Sequence, residues 1–175
     1  MITKKLTLCA MLSALAAALM LTSYFPYLTY GIPAMAGIYV MIAVIEAGIK
    51  WSIGVYLVSS LITFLTAERE AMLFYIALFG FYPIVKSLFE RLRSRLLEYI
   101  LKIVSFNLAV ALSFGLMILI GLPVDFINDF GVYTIPILLV TANLAFVLYD
   151  IALSRIAGTY IARISPAVKK IIRGK

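Results

Sequence analysis

Apolar runs of nearly membrane-spanning length follow one another along almost the whole chain. A helix that crosses a bilayer needs roughly 20 predominantly apolar residues. Six runs approach this length, and short breaks with glycine, proline or charged residues separate them. Their bounds are residues 6–24, 33–47, 52–66, 71–88, 100–122 and 133–153. The pattern predicts an all-α integral membrane protein, with one six-helix transmembrane domain over residues 1–175.

The composition leaves no room for a separate soluble domain of ordinary size. Of the 175 residues, 65% are hydrophobic and 13% are charged, whereas about 25% are charged in typical soluble domains. The first run follows Lys4 and Lys5 and lacks a small-residue cleavage site before polar sequence. We therefore expect a retained first helix and not a signal peptide.

The basic residues predict the orientation of the chain. If the N-terminus lies inside, all but one of the 15 Lys and Arg residues fall on the inner side, and Arg69 is the exception. The positive-inside rule then places both termini in the cytoplasm. We expect a multi-pass protein of a prokaryotic cell membrane. The net charge of +7 fits contact with the lipid bilayer, and we expect no binding of nucleic acid.

Charged and amide side chains within the runs need partners, because an unpaired charge in a bilayer costs several kcal/mol. Asn107 and Asn143 are expected to hydrogen-bond between helices or to line a pocket. The charged residues suggest local pairs near the inner interface. These are Glu46 with Lys50, Glu98 with Lys102, Lys86 with Glu90, and Asp150 with nearby Arg155.

Three alanines in the first run recur at four-residue spacing. Ala10, Ala14 and Ala18 therefore share one face of a helix. Small residues allow another helix to approach closely, and close packing drives helix association in lipid. The partner is either a second protein or another helix of the same chain, and the spacing alone leaves both alternatives open.

The predicted outer side is acidic and aromatic, in contrast to the basic inner side. Aromatic walls with a few acidic groups suit a flat or cationic small molecule. The alternative is an aromatic belt at the interface combined with core packing. The candidate ligand-binding residues are Tyr27, Tyr30, Glu68, Glu70, Tyr75, Phe79, Asp125 and Asp129.

The sequence disfavours an enzyme. It has no histidine and a single cysteine, Cys9, so the commonest catalytic bases and metal ligands are missing. It also has no Gly-x-Ser-x-Gly motif and no phosphate-binding loop with a lysine. We expect no catalytic residues, no metal and no cofactor.

The chain resembles the substrate-binding S components of energy-coupling factor (ECF) vitamin transporters over nearly its whole length. The resemblance rests on its size, its six predicted spans, its short basic N-terminus and the alanine face of the first helix. It also rests on residues 33–46 and on the sequence Phe79-Gly80-Phe81-Tyr82-Pro83. It implies capture of a vitamin or related micronutrient from outside. It further implies that the alanine face docks on a transmembrane coupling subunit, which two cytoplasmic ATPases drive.

A second resemblance is to the rod-shape-determining membrane proteins, which have a similar length and helix count. It implies a non-catalytic scaffold without a small-molecule ligand. An enclosed outer pocket with converging polar groups distinguishes the two alternatives, because only a ligand-binding protein needs one.

Overall fold

The computed structural model describes residues 2–25, 28–92, 94–121 and 134–173, and all the regular structure in these ranges is helical. A short 3-10 turn, Leu21–Tyr24, follows the first helix, and a π-helix, Tyr75–Phe79, joins the fourth and fifth. The α-helices are α1 (Ile2–Met20), α2 (Gly31–Glu46), α3 (Ile49–Thr66), α4 (Arg69–Phe74), α5 (Tyr82–Phe89), α6 (Arg95–Ile120), α7 (Thr134–Arg163) and α8 (Ser165–Arg173).

Among the described residues, five helical segments are long and apolar enough to cross a membrane, and the predicted all-α class is confirmed. Large apolar side chains cover the outside of the bundle, and Leu119 is 82% exposed. Exposure on this scale fits helices whose outer faces meet an apolar medium. The predicted second span, α2, has only 16 residues. The five segments are Ile2–Tyr24, Ile49–Thr66, Arg69–Phe89, Arg95–Leu119 and Pro136–Arg163.

The shortest of the predicted spans, α2, lies at the centre of the bundle. It contacts α1, α3, α5, α7, α8 and the π-helix. Ala36, Val40 and Ala43 on α2 are completely buried. The sequence of α2 is apolar on every side except at Glu46, as is typical of a largely buried helix.

The two ends of the bundle differ in charge. We call the end where α1 finishes and α4 begins the acidic end, because Glu68 and Glu70 lie there. We call the end where α2 and α5 finish and α6 begins the basic end, which carries Lys50, Arg91 and Arg95. At the basic end the chain reverses between α2 and α3 at Gly48, whose φ of +93° favours glycine.

The fourth predicted span is one helix by sequence, but the structure divides it into α4, the π-helix and α5. The widened turn is closed by the backbone N–H of Gly80, which donates to the carbonyl oxygen of Tyr75 at 2.8 Å. Pro83 follows near the start of α5, where its missing N–H costs nothing. The Tyr56 hydroxyl donates to the carbonyl oxygen of Ile76 at 2.7 Å and fixes the π-helix to α3.

The helix of the sixth predicted span is longer than the sequence predicts, and α8 was not predicted. The apolar run ends at Leu153, but α7 continues to Arg163. Polar residues after Leu153 do not interrupt a helix, whereas Pro166 has no N–H to donate to the preceding turn and its ring crowds the carbonyl group four residues back. The break therefore comes at Ile164, just ahead of Ser165 and Pro166, and α8 begins there.

Candidate functional site

The alanine row of α1 faces away from the bundle. Ala10, Ala14 and Ala18 are exposed, and no described helix covers them. The opposite side of α1 packs against α2 and α3. The buried side chains on that opposite side are Cys9, Leu12, Ser13, Ala16, Ala17 and Met20. The spacing left two alternatives for the partner of this row. Packing within the chain uses the opposite side of α1 and leaves the alanine row on the surface.

Two of the candidate ligand-binding residues lie together at the acidic end. Tyr30 precedes α2, and its ring meets that of Phe74 on α4 edge to face, with centroids 5.1 Å apart. Glu70 is half-buried beside the Tyr30 hydroxyl. Burial, and then the negative charges of Glu70 and Glu68, raise the pKa of Tyr30. Together Tyr30, Glu70 and Phe74 form an aromatic and acidic group that a ligand can reach.

Glu68, a third candidate at this end, holds the start of α4. Its two carboxylate oxygens accept hydrogen bonds from the backbone N–H groups of Glu70, at 2.9 Å, and Ala71, at 2.8 Å. Its own backbone N–H donates to the Ser23 hydroxyl at 3.1 Å. The carboxylate thus satisfies helix N–H groups that have no partner within the helix. Its role in the structure is that of an N-cap.

Tyr75 and Phe79 lie on the π-helix and pack inside the bundle. Tyr75 is 0% exposed, and its hydroxyl hydrogen-bonds the Ser59 hydroxyl at 2.7 Å. The Phe79 ring meets the Tyr149 ring edge to face, with centroids 5.1 Å apart. The two rings are therefore part of the core rather than of the surface at the acidic end. The remaining candidates, Tyr27, Asp125 and Asp129, lie outside the described residues.

A buried ion network joins three helices on the side of the bundle towards the basic end. At its centre, Asp150 of α7 pairs through Oδ1 with Lys86 of α5, and its Oδ2 lies 3.3 Å from Lys102 Nζ of α6. The Tyr82 hydroxyl donates to Asp150 Oδ1 at 2.5 Å. Lys86 and Lys102 are only 5% and 4% exposed. We call Tyr82, Lys86, Glu90, Glu98, Lys102, Asp150 and Ser154 the ion network.

Two of the predicted local pairs belong to this network and are confirmed. Lys102 Nζ lies 2.7 Å from Glu98 Oε1, and Lys86 Nζ lies 3.2 Å from Glu90 Oε1. The pairing of Asp150 with Arg155 is wrong, because the two buried lysines take both of its carboxylate oxygens.

The predicted pair of Glu46 and Lys50 is also wrong. Glu46 ends α2 and is 8% exposed, and neither carboxylate oxygen has a hydrogen-bond partner among the described residues. Lys50 is exposed beyond the Gly48 turn. The turn interrupts the continuous helix that four-residue pairing requires.

The predicted contact between the fifth and sixth spans is confirmed. Asn107 Nδ2 donates to Asn143 Oδ1 at 2.9 Å, and Asn143 Nδ2 donates to Asn107 Oδ1 at 3.1 Å. This reciprocal pair satisfies two amides between α6 and α7, and the same residues therefore do not need a ligand.

Two apolar grooves lie between helices of the bundle, and neither is lined by Tyr30, Glu68 or Glu70. The larger, of about 390 Å³, runs between the fourth span and α6 and is lined among others by Phe81, Leu108 and Leu112. The smaller, of about 180 Å³, lies between α2 and α7. Within the described ranges, no group of three or more Cys, Asp or Glu side chains is arranged to hold a metal ion.

Comparisons with protein families, with curated proteins and with solved structures found no match to this chain. The function is therefore inferred from the residues and their geometry.

Proposed function

We propose that the chain is the membrane-embedded substrate-capture subunit of an ECF-type importer. In this proposal it crosses a prokaryotic cell membrane six times, with both termini in the cytoplasm, and binds a vitamin or related micronutrient from outside. The chain itself hydrolyses nothing. Its partners are a transmembrane coupling subunit and two cytoplasmic ATPases.

The short α2 is compatible with six spans. Its 16 residues extend about 24 Å at 1.5 Å per residue, less than the roughly 30 Å of a hydrocarbon core. Because α2 contacts α1, α3, α5 and α7, much of its surface meets protein, and its length need not match the bilayer.

The observation that carries the proposal is the exposed alanine row on α1. Where a helix face meets only lipid, alanines give no advantage in packing, since longer apolar side chains contact the acyl chains equally well. A flat row at four-residue spacing instead lets the backbone of a partner helix approach. The chain uses the opposite side of α1 for its own packing against α2 and α3.

The acidic end supports a ligand site of modest charge. Tyr30 and Phe74 supply ring surface, and Glu70 supplies an acidic group beside them. Arg69 is exposed and forms no ion pair with Glu68 or Glu70. The arrangement favours a neutral or cationic ligand that stacks on the rings.

The proposal is tested by co-purification with the coupling subunit and ATPases after Ala14→Leu. The added side chain holds the partner backbone away, so we expect loss of the complex with an unchanged unfolding temperature of the isolated chain. Ala145→Leu is the matched control, because Ala145 is equally exposed on α7. Retention of the complex by Ala14→Leu, or equal loss in both variants, would contradict docking through the alanine row.

One observation favours the scaffold alternative. Neither groove given above is lined by Tyr30, Glu70 or Phe74, and a scaffold needs no pocket at these residues. A scaffold predicts that no vitamin-like molecule binds to the purified chain, with or without its partners.

A further inference from the structure

The charged residues among the last 25 of the sequence are all basic, and neither the alanine row nor the acidic end explains this. After Asp150 the sequence contains no Asp or Glu. It contains six basic residues in this stretch: Arg155, Arg163, Lys169, Lys170, Arg173 and Lys175. The side chains of the first four are described, and all four are exposed. None of these four forms an ion pair with a described residue.

The helix α8 holds part of this charge at a fixed place. Only Ile164 separates it from α7, and its first residue, Ser165, is 1% exposed. It also packs against α2. Its start is thus anchored to the bundle at the basic end, and Lys169 and Lys170 project from a short helix that cannot swing freely.

The two sides of α8 differ in character. Val168 is half-buried, and Ile164 just before the helix presents an apolar side chain that is 51% exposed. Lys169 and Lys170 are exposed. A short helix with an apolar side and a basic side suits the boundary between acyl chains and headgroups.

We propose that Arg163, Lys169 and Lys170 form a binding surface for the headgroups of anionic phospholipids. Basic clusters on an amphipathic helix next to a membrane span attract anionic lipids, and exposed lysines and arginines that form no ion pair within the protein are available for this contact. The proposal requires that the bundle lie in a membrane, but not that the chain transport a vitamin.

The test is a titration of the full-length purified chain in detergent with phosphatidylglycerol or phosphatidylcholine, followed by native mass spectrometry. We expect tighter binding of phosphatidylglycerol to the unmodified chain. In the triple variant Arg163→Gln, Lys169→Gln, Lys170→Gln, we expect its apparent Kd to rise by roughly tenfold or more, and by much less in high salt, which already screens the charges.

The matched control is Lys50→Gln, Arg91→Gln, Arg95→Gln, which removes the same charge from other exposed positions at the basic end. It should change the Kd less than twofold. The charge-conserving variant Lys169→Arg, Lys170→Arg should retain binding, and both triple variants should unfold at the temperature of the unmodified chain.

Equal losses in the two triple variants would show that net charge alone attracts the lipid and would overturn the proposal. Equal affinity of the unmodified chain for the two lipids, or unchanged binding in the α8 variant, would also overturn it.

Discussion

Asp150 connects three helices because its two carboxylate oxygens serve different partners. Oδ1 accepts from Tyr82 and pairs with Lys86, and Oδ2 faces Lys102. Desolvation of such charges is costly, and their mutual attraction offsets that cost only when every member is present. The network therefore makes α5, α6 and α7 depend on one carboxylate.

Replacing Asp150 by Asn should destabilise the bundle strongly, because two buried lysines then lose their charged partner. We expect a loss of about 3–5 kcal/mol in the free energy of unfolding. Tyr82→Phe should cost about 1–2 kcal/mol, since it removes one hydrogen bond to the carboxylate. Denaturation in detergent, followed by circular dichroism, measures both effects.

Glu90→Gln is the control for this comparison, because the Glu90 side chain is 45% exposed and less of its pairing energy is retained. An Asp150→Asn variant no less stable than Glu90→Gln would mean that the ion network contributes little to the fold.

Local sequence predicts side-chain pairs within one helix but not contacts between helices. Glu98 with Lys102 and Lys86 with Glu90 were predictable because four-residue spacing on one helix brings side chains together. The partners of Asp150 were not predictable, since they lie 48 and 64 positions away along the chain. The burial of Tyr75 was equally hidden, because an aromatic residue in an apolar run fits a core and a ligand site alike.

At the scale of elements, the π-helix divides the fourth span into two parts with different anchors. The part at the acidic end, α4, begins at the Glu68 cap and carries Glu70 and Phe74. The part towards the basic end, α5, is tied to the ion network through Tyr82 and Lys86. Gly37 of α2 lies very close to the carbonyl oxygen of Phe79, which belongs to the π-helix. A Cβ atom on Gly37 would collide with that oxygen.

Gly37→Ala should therefore displace the π-helix and cost about 1–3 kcal/mol of stability by overpacking. The matched control is Gly54→Ala on α3, where a Cβ atom meets nothing within 4 Å. This control should be neutral, or more stable by about 0.5–1 kcal/mol, because alanine favours a helix more than glycine does. Thermal unfolding of the two variants provides the comparison, and equal stability would refute the close contact.

Apolar runs predict where helices lie but not all of their bounds. Their approximate positions were predicted because a run of apolar residues marks each one. The end of α7 and all of α8 were missed, since residues after Leu153 are helical but polar, and hydropathy does not register them. The division of the fourth span was missed because the residues of the π-helix are as apolar as those of an ordinary spanning helix, and hydropathy does not distinguish the two.

At the scale of the whole molecule, the separation of charge between the two ends predicts how the chain sits in a membrane. Arg69 is exposed at the acidic end and Lys170 at the basic end. Under the positive-inside rule these positions lie on opposite sides.

Single-cysteine variants in a Cys9→Ala background test this orientation. We expect Arg69→Cys to react with a membrane-impermeant thiol reagent added to intact cells, and Lys170→Cys to react only after the membrane is opened. Labelling of Lys170→Cys in intact cells would exclude a cytoplasmic C-terminus.

We propose that the chain captures a small molecule at its acidic end. Mass spectrometry of the purified protein, combined with calorimetric titration against vitamins and related amines, tests it most directly. We predict that one such compound co-purifies and binds tightly, and that Tyr30→Ala and Glu70→Gln weaken binding at least about tenfold through loss of stacking and of the acidic group. Absence of binding to every compound, or tight binding that survives both substitutions, would contradict the account.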